Sequence, residues 1–434
     1  MDEAPPPIVY NLFPTLVGPP ERWLAHGRRA RAMEFDWLYL NPVHYPGFSG
    51  SLYAVKDYGR LHPQLVPAGG DERLEALAPT VRTLRDTGLR VMMDLVINHT
   101  ARDSPLVAER PGWYRRDAAG DVVSPRAIDP GNAGDVTVWG DLAEIDNEGT
   151  NDREGLWAFW ESLVHRCLAL GVEGFRCDAA YKVPADLWRR LIVSARMAVP
   201  GTLFVAETLG CRLDEVQALE SAGFDYFYNS SKWWDFQAPW CLQQHEQFRR
   251  VAPSISFPES HDTERLAAET AGSEPVQRQR YAFGAVFSQG VQLTAGYEFG
   301  FRRRLDVVRT RPEDWEPPRF DLTAFITRVN ALKRQHPLLR REGVLVRLDS
   351  AAPDVTVLRR WSDESGRHRG LVLVNRAATA VREVEVDPAE GGPDARLFRV
   401  WDSVPLGSAP PAAGRIRLAP AEVALLAEPL PDPR

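Results

Sequence analysis

Between residues 8 and 294, short apolar runs alternate with helix-length segments, and few folds accommodate that rhythm. The runs fall at 8–10, 35–40, 90–96, 172–177, 202–206, 224–227, 254–257 and 291–294. Helical patterns fall at 20–33, 71–87, 153–170, 184–199, 213–221 and 277–288, with a tryptophan-rich helix after residue 227 and a last helix at 322–335. Strands joined through helices pair in parallel, and eight of them close into a (β/α)8 TIM barrel. One interval breaks the rhythm. Residues 99–152, after the third strand, are rich in Gly, Pro and Asp without a sustained period, and an insertion of that length is usually functional. From about Leu339 the texture becomes short β-branched runs at 344–346, 355–358, 371–374, 384–386 and 423–426, the pattern of an antiparallel β-sandwich. The expected organisation is a barrel over 1–340 carrying a domain B insertion at 99–152, then a C-terminal sandwich over 341–434. Residues 409–414 read as a small-residue loop.

The polar ends of the strands carry the chemistry. Strand three ends Asp94-Leu95-Val96-Ile97-Asn98-His99, strand four Arg176-Cys177-Asp178, strand five Ala206-Glu207, and strand seven Glu259-Ser260-His261-Asp262. A parallel barrel gathers these ends at one mouth, where active sites of this fold sit. Arg176 and Asp178 are two apart on a strand and project to one face. A guanidinium there stabilises a carboxylate's charge, as a covalent nucleophile requires; a structural ion pair is the plainer reading of those two residues alone. Buried carboxylates are costly unless used or paired. Three at one rim, with two histidines and an arginine, suit a glycosidase, one carboxylate attacking and one donating a proton. A retaining pair stands about 5 to 5.5 Å apart. Glu207 follows the apolar run Leu203-Phe204-Val205-Ala206, so desolvation should raise its pKa.

The balance of 52 Lys+Arg against 59 Asp+Glu, a formal charge of −7, gives no electrostatic case for nucleic acid or an anionic membrane. The opening Met1-Asp2-Glu3-Ala4-Pro5-Pro6-Pro7 lacks the basic and apolar regions of a signal peptide, and no apolar run is long enough to span a bilayer. Cys167, Cys177, Cys211 and Cys241 lack metal-ligand spacing and read as free thiols. A cytoplasmic location follows as the expectation, with no cofactor.

The four strand-end segments resemble, in order, the signature segments of the α-amylase family, glycoside hydrolase family 13: Asp-x-x-x-Asn-His, Gly-Phe-Arg-x-Asp, a Glu ending strand five, and His-Asp after strand seven. The resemblance implies that Asp178 is the nucleophile, Glu207 the acid/base, and Asp262 the third carboxylate, gripping sugar hydroxyls. It implies that His99 and His261 bind the sugar being cleaved, that Arg176 orients Asp178, and that Asp94 supports the mouth. Tyr53, four residues before Asp57, resembles the family's Tyr-x-x-x-Asp, whose tyrosine stacks on the same sugar. The family's calcium site uses the Asn of the first segment, here Asn98, with a histidine four residues after the nucleophile. That position is Lys182 here, and a cation opposes bound Ca²⁺, so no metal is expected there.

Phe13-Pro14, Gly296-Tyr297-Glu298 and residues 325–330 look like stretches of the bacterial maltose-1-phosphate maltosyltransferases. Those enzymes hold phosphate with an Asn-Pro-Pro-Lys-Lys-Tyr-Gln segment in the insertion, where this chain reads Ser124-Pro125-Arg126-Ala127-Ile128-Asp129. The Asn after their nucleophile is Ala179 here. Trp233, Trp234 and Trp240 are candidates for sugar stacking or for core. Arg302-Arg303-Arg304 is an anion site or, more plainly, a solvated turn. The first reading is a retaining hydrolase of α-glucans or malto-oligosaccharides. A transglycosylase sharing its intermediate comes second, and a non-catalytic glycan-binding barrel last, since all three carboxylates are present.

Overall fold

The computed structural model describes residues 5–129, 132–362, 366, 368–392, 394–399 and 414–430. Its centre is a closed barrel of parallel strands: Ile8–Leu12, Trp37–Leu40, Arg90–Leu95, Gly174–Cys177, Leu203–Ala206, Tyr226–Tyr228, Ser254–Ser256 and Gly290–Thr294. Each pairs with its neighbours in sequence, and the last closes on the first through Ile8 opposite Val291 and Asn11 opposite Thr294. Strands covered by helices outside and side chains inside become continuous apolar runs, which is why they are visible in the sequence. Val9, Trp37, Tyr39, Met92, Val205, Tyr226, Tyr228, Ile255 and Phe257 fill the interior. Gly174 opens the fourth strand because Trp37 occupies the space beside it; a Cβ there would lie 2.8 Å from the indole.

The outer ring follows helical spacing. Ala185–Ala198 buries Leu187, Trp188, Leu191, Ile192 and Ala195 on its barrel face. Several helices depart from the sequence pattern. Over 71–87 a 3-10 turn at Leu74–Leu77 precedes the α-helix Ala78–Asp86, whose Pro79 is tolerated only in the first turn. The tryptophan-rich helix begins at Trp240, leaving Trp233 at the end of the 3-10 turn Ser231–Trp233 and Trp234 just after it.

In the insertion, His99–Ala101 pairs with Leu142–Glu144, and Arg126–Asp129 pairs with Asn132–Val138. Ladders so short leave no sustained period. Beyond the barrel lies a five-stranded antiparallel sheet, in the order Leu345–Leu348, Val355–Trp361, Arg369–Asn375, Val423–Ala427, Arg396–Arg399, and a second pair, Arg382–Glu385 with Arg415–Leu418. Val357, Leu371, Leu373, Val384, Ile416 and Leu418 pack between the two layers. Leu358, Val372, Val374 and Leu425 face the other way, into the main core. Arg360, fully buried, ties the sheet to the barrel by donating to the carbonyls of Phe287, Leu338 and Arg341. The expected loop at 409–414 lies, apart from Gly414, outside the described residues. Among the described residues no helix is long and apolar enough to cross a membrane. All four cysteines are free, and three are buried.

Candidate active site

The third and fourth strands run side by side with Arg176 opposite Asp94, so the guanidinium points at that carboxylate across the ladder. Arg176 Nη1 donates to Asp94 Oδ1 at 3.0 Å and to Asp178 Oδ1 at 2.6 Å, while Nη2 lies 4.0 Å from Glu207 Oε2. One buried cation thus faces three carboxylates from three neighbouring strands.

Asp94 Oδ2 also accepts the hydroxyls of Tyr39 and Tyr53, each at 2.6 Å. Burial, reinforced by the Asp94 charge, raises both phenols well above 10, so they remain donors. Tyr53 Oη accepts from Asn41 Nδ2 at 3.0 Å and lies 2.6 Å from His261 Nε2. Its own proton points at Asp94, so the imidazole must donate; the network therefore puts a proton on Nε2, shared with Asp262 Oδ2 at 2.9 Å. The Tyr53 and His261 rings stack at 5.3 Å, 5° from parallel. His99 Nε2 lies 3.0 Å from the Tyr53 carbonyl, and burial lowers its pKa, leaving a neutral ring that donates from Nε2. All eight residues singled out in the sequence, Tyr53, Asp94, His99, Arg176, Asp178, Glu207, His261 and Asp262, belong to this one connected cluster.

Glu207 is held at both oxygens, Oε2 accepting from Ala179 N at 2.9 Å and Oε1 from Leu209 N at 2.8 Å. Ala179 has φ +40°, a left-handed conformation that a residue with a Cβ seldom adopts. Strain of this kind collects at functional sites. Burial raises the Glu207 carboxyl to about 7; Arg176 pulls against it, and the Asp178 charge adds to it. Asp262 goes the other way. Desolvation pushes it up, but the adjacent His261, then Arg176 and Arg304, hold it at about 2. The cluster therefore contains one carboxyl that keeps its proton near neutrality and one that does not.

Residues the sequence reading passed over support this arrangement. Tyr39 and Asn41 lie two apart at the end of strand two, a spacing that was readable. Glu259 and Arg265, both 1 % exposed, pair at 2.6 Å, and Arg265 reaches the Ala295 carbonyl, pinning the segment that carries His261 and Asp262 to the eighth strand. The family's calcium does not fit the residues present. Lys182 Nζ is 3.3 Å from the Arg126 carbonyl, and among the described residues no group of three His, Cys, Asp or Glu side chains is arranged to hold a metal ion. Asn98 Oδ1 is buried without a partner. Arg303 and Arg304 are exposed and paired, Arg303 with Asp314 and Arg304 with Glu264 and the Asp262 carbonyl, while Arg302 is half-buried.

The family model for the glucanotransferase domain of glycogen debranching enzyme matches residues 8–118. The chain is 29 % identical over 381 residues to an alpha-1,4-glucan:maltose-1-phosphate maltosyltransferase of Burkholderia pseudomallei, covering 85 % of this chain and 33 % of that protein. To the enzyme of that name from Myxococcus xanthus it is 27 % identical, covering 75 % and 51 %. An α-amylase from Lactobacillus plantarum superposes with a TM-score of 0.74 at 20 % identity, covering 97 % of this chain and 98 % of that one. The likeness is to the α-amylase family. The matched sequences are maltosyltransferases, and the matched fold is one that α-amylases share. The chain spans between a third and about half the length of these maltosyltransferases.

Proposed function

We propose that this α-amylase-family chain breaks α-glucosidic bonds in glucans or malto-oligosaccharides with retention of configuration. Asp178 attacks the anomeric carbon while Glu207 gives its proton to the leaving oxygen, forming a glycosyl-enzyme; Glu207 then takes a proton from the incoming acceptor. Asp262 and the two histidines grip the reacting sugar, and Arg176 fixes Asp178. The observation that carries this reading is the geometry around one guanidinium, with Asp178 on Arg176 at 2.6 Å and Glu207, raised to about 7 by burial, 4.0 Å from the same group. Free thiols fit a reducing compartment, and a cytoplasmic location belongs to the same proposal.

Water is our first choice of acceptor. A phosphate dianion out of bulk water needs several fixed, charge-assisted donors. Here Ala179 offers only its N–H, already on Glu207, and the Lys182 ammonium lies against the Arg126 carbonyl. The sequence relatives favour a second reading, transfer of a maltosyl group to or from phosphate or a glucan end. Incubation with maltoheptaose, with and without inorganic phosphate, separates the two. Hydrolysis gives shorter malto-oligosaccharides at a rate phosphate does not change. Maltose 1-phosphate among the products would overturn the first reading in favour of the second.

A further inference from the structure

Trp233 and Trp234 are neighbours with opposite fates. Trp234 is fully buried against Phe236, Phe283 and Phe287. Trp233 is 52 % exposed, on the turn that follows the sixth strand at the barrel mouth. It sits edge-on to Phe257 at 6.2 Å, and Phe257 packs in the interior layer against which Leu209 rests. Leu209 is the residue whose N–H holds Glu207 Oε1. Strand six, which the turn of Trp233 follows, pairs with strand five, which Glu207 follows, so the indole stands on the Glu207 side of the mouth.

Its exposure is built in. Trp233 N donates to the Ser230 carbonyl, Ser230 N donates to Gln244, and the buried Lys232 pairs with Glu269 at 3.1 Å. The Lys232 ammonium lies 5.6 Å from the ring centroid, and the rest of the aromatic surface is held in water at a hydration cost that a covering partner would relieve. At the mouth of a site for sugars, the partner of matching chemistry is the C–H face of a pyranose ring. In a retaining glycosidase the leaving group, and later the acceptor, lie beside the acid/base residue.

We propose that Trp233 is a stacking platform for a glucose ring of the α-glucan on the Glu207 side, beyond the bond that is cleaved. This rests on the proposed function and adds a specificity residue to it. The platform grips chains long enough to reach it and holds a sugar acceptor in competition with water. Calorimetric titration of the Asp178→Asn protein, which stops turnover, tests it with maltoheptaose and maltose. Adding Trp233→Ala should weaken maltoheptaose about five- to tenfold, the scale of an aromatic stacking contact, and leave maltose unchanged. Trp233→Phe should restore most of the loss and guards against a folding artefact. Equal maltoheptaose affinity with and without the indole would overturn the platform alone. Failure of the parent protein to bind either sugar would overturn the platform and the proposed function together.

Discussion

Glu207→Gln removes the carboxyl whose proton the mechanism uses, and its effect on stability should depend on pH. Folding raises this group from its ordinary 4.5 to about 7, so the folded chain holds the proton more tightly than the unfolded chain. A carboxyl raised in this sense destabilises the fold as it ionises. The penalty is absent below about pH 4.5, grows through the interval, and is complete above about pH 7. At about 1.4 kcal/mol per unit, the shift amounts to ~3 kcal/mol. Glutamine has no charge and escapes this penalty, but it brings another. Both carboxyl oxygens accept a backbone N–H, from Ala179 and Leu209, and an amide nitrogen accepts nothing. One buried N–H is left unpaired, at about 1–3 kcal/mol. The variant should thus be less stable than the parent by ~1–3 kcal/mol near pH 4, and equal to it or up to ~2 kcal/mol more stable near pH 8.5. The difference between the two comparisons, ~3 kcal/mol, is free of the amide's own effect. Urea unfolding of both proteins at the two pH values measures it. The parent's kcat/KM should fall as pH rises through about 7, because Glu207 must enter protonated. A stability difference that is the same at both pH values would refute the raised pKa, and parent-like turnover in the variant would refute the role.

Asp178→Ala should abolish turnover, by roughly 10⁴-fold or more, in a chain that still folds, since Arg176 keeps its bond to Asp94. The same change removes a charge that raises Glu207, so the Glu207 carboxyl should titrate lower, as ¹³C NMR of a labelled chain would record. Calcium should be dispensable, with Lys182 bringing an ammonium where the family has a histidine. A chelator that lowers both activity and melting temperature, with recovery on Ca²⁺ alone, would show the site misread.

The barrel was legible because both faces of each strand are covered, which concentrates apolar residues into runs that end in conspicuous charges. Asp94, Arg176, Asp178 and Glu207 stand out for that reason, and their adjacency follows from the parallel register. What stayed hidden depends on tertiary context. Arg396–Arg399 and Arg415–Leu418 are strands of which half the residues are arginine, and four residues cannot establish alternation. Trp233 and Trp234 lie on a turn, where no period says which side chain faces inward. Ala179 gives no sign of its left-handed backbone, since a glycine or asparagine would be the usual signal. Yet that conformation accompanies the N–H bond to Glu207.

The geometry also explains how Glu207 stays raised only 4.0 Å from a guanidinium. Arg176 carries one positive charge, and Asp94 and Asp178 already stand against it at 3.0 and 2.6 Å. The group of three is net negative before Glu207 is considered. Ionising Glu207, itself buried, would add a like charge facing Asp178 and Asp262, so the attraction to Arg176 does not offset burial and repulsion. Asp94 stands on the same guanidinium nitrogen as Asp178. It is buried and saturated by Tyr39, Tyr53 and Arg176, which leaves it no free oxygen for substrate and makes it a counter-charge within the cluster. Asp94 and Asp178 share Nη1 and leave Nη2 facing Glu207 at 4.0 Å, so one arginine holds the attacking carboxylate while its charge is divided among three acids.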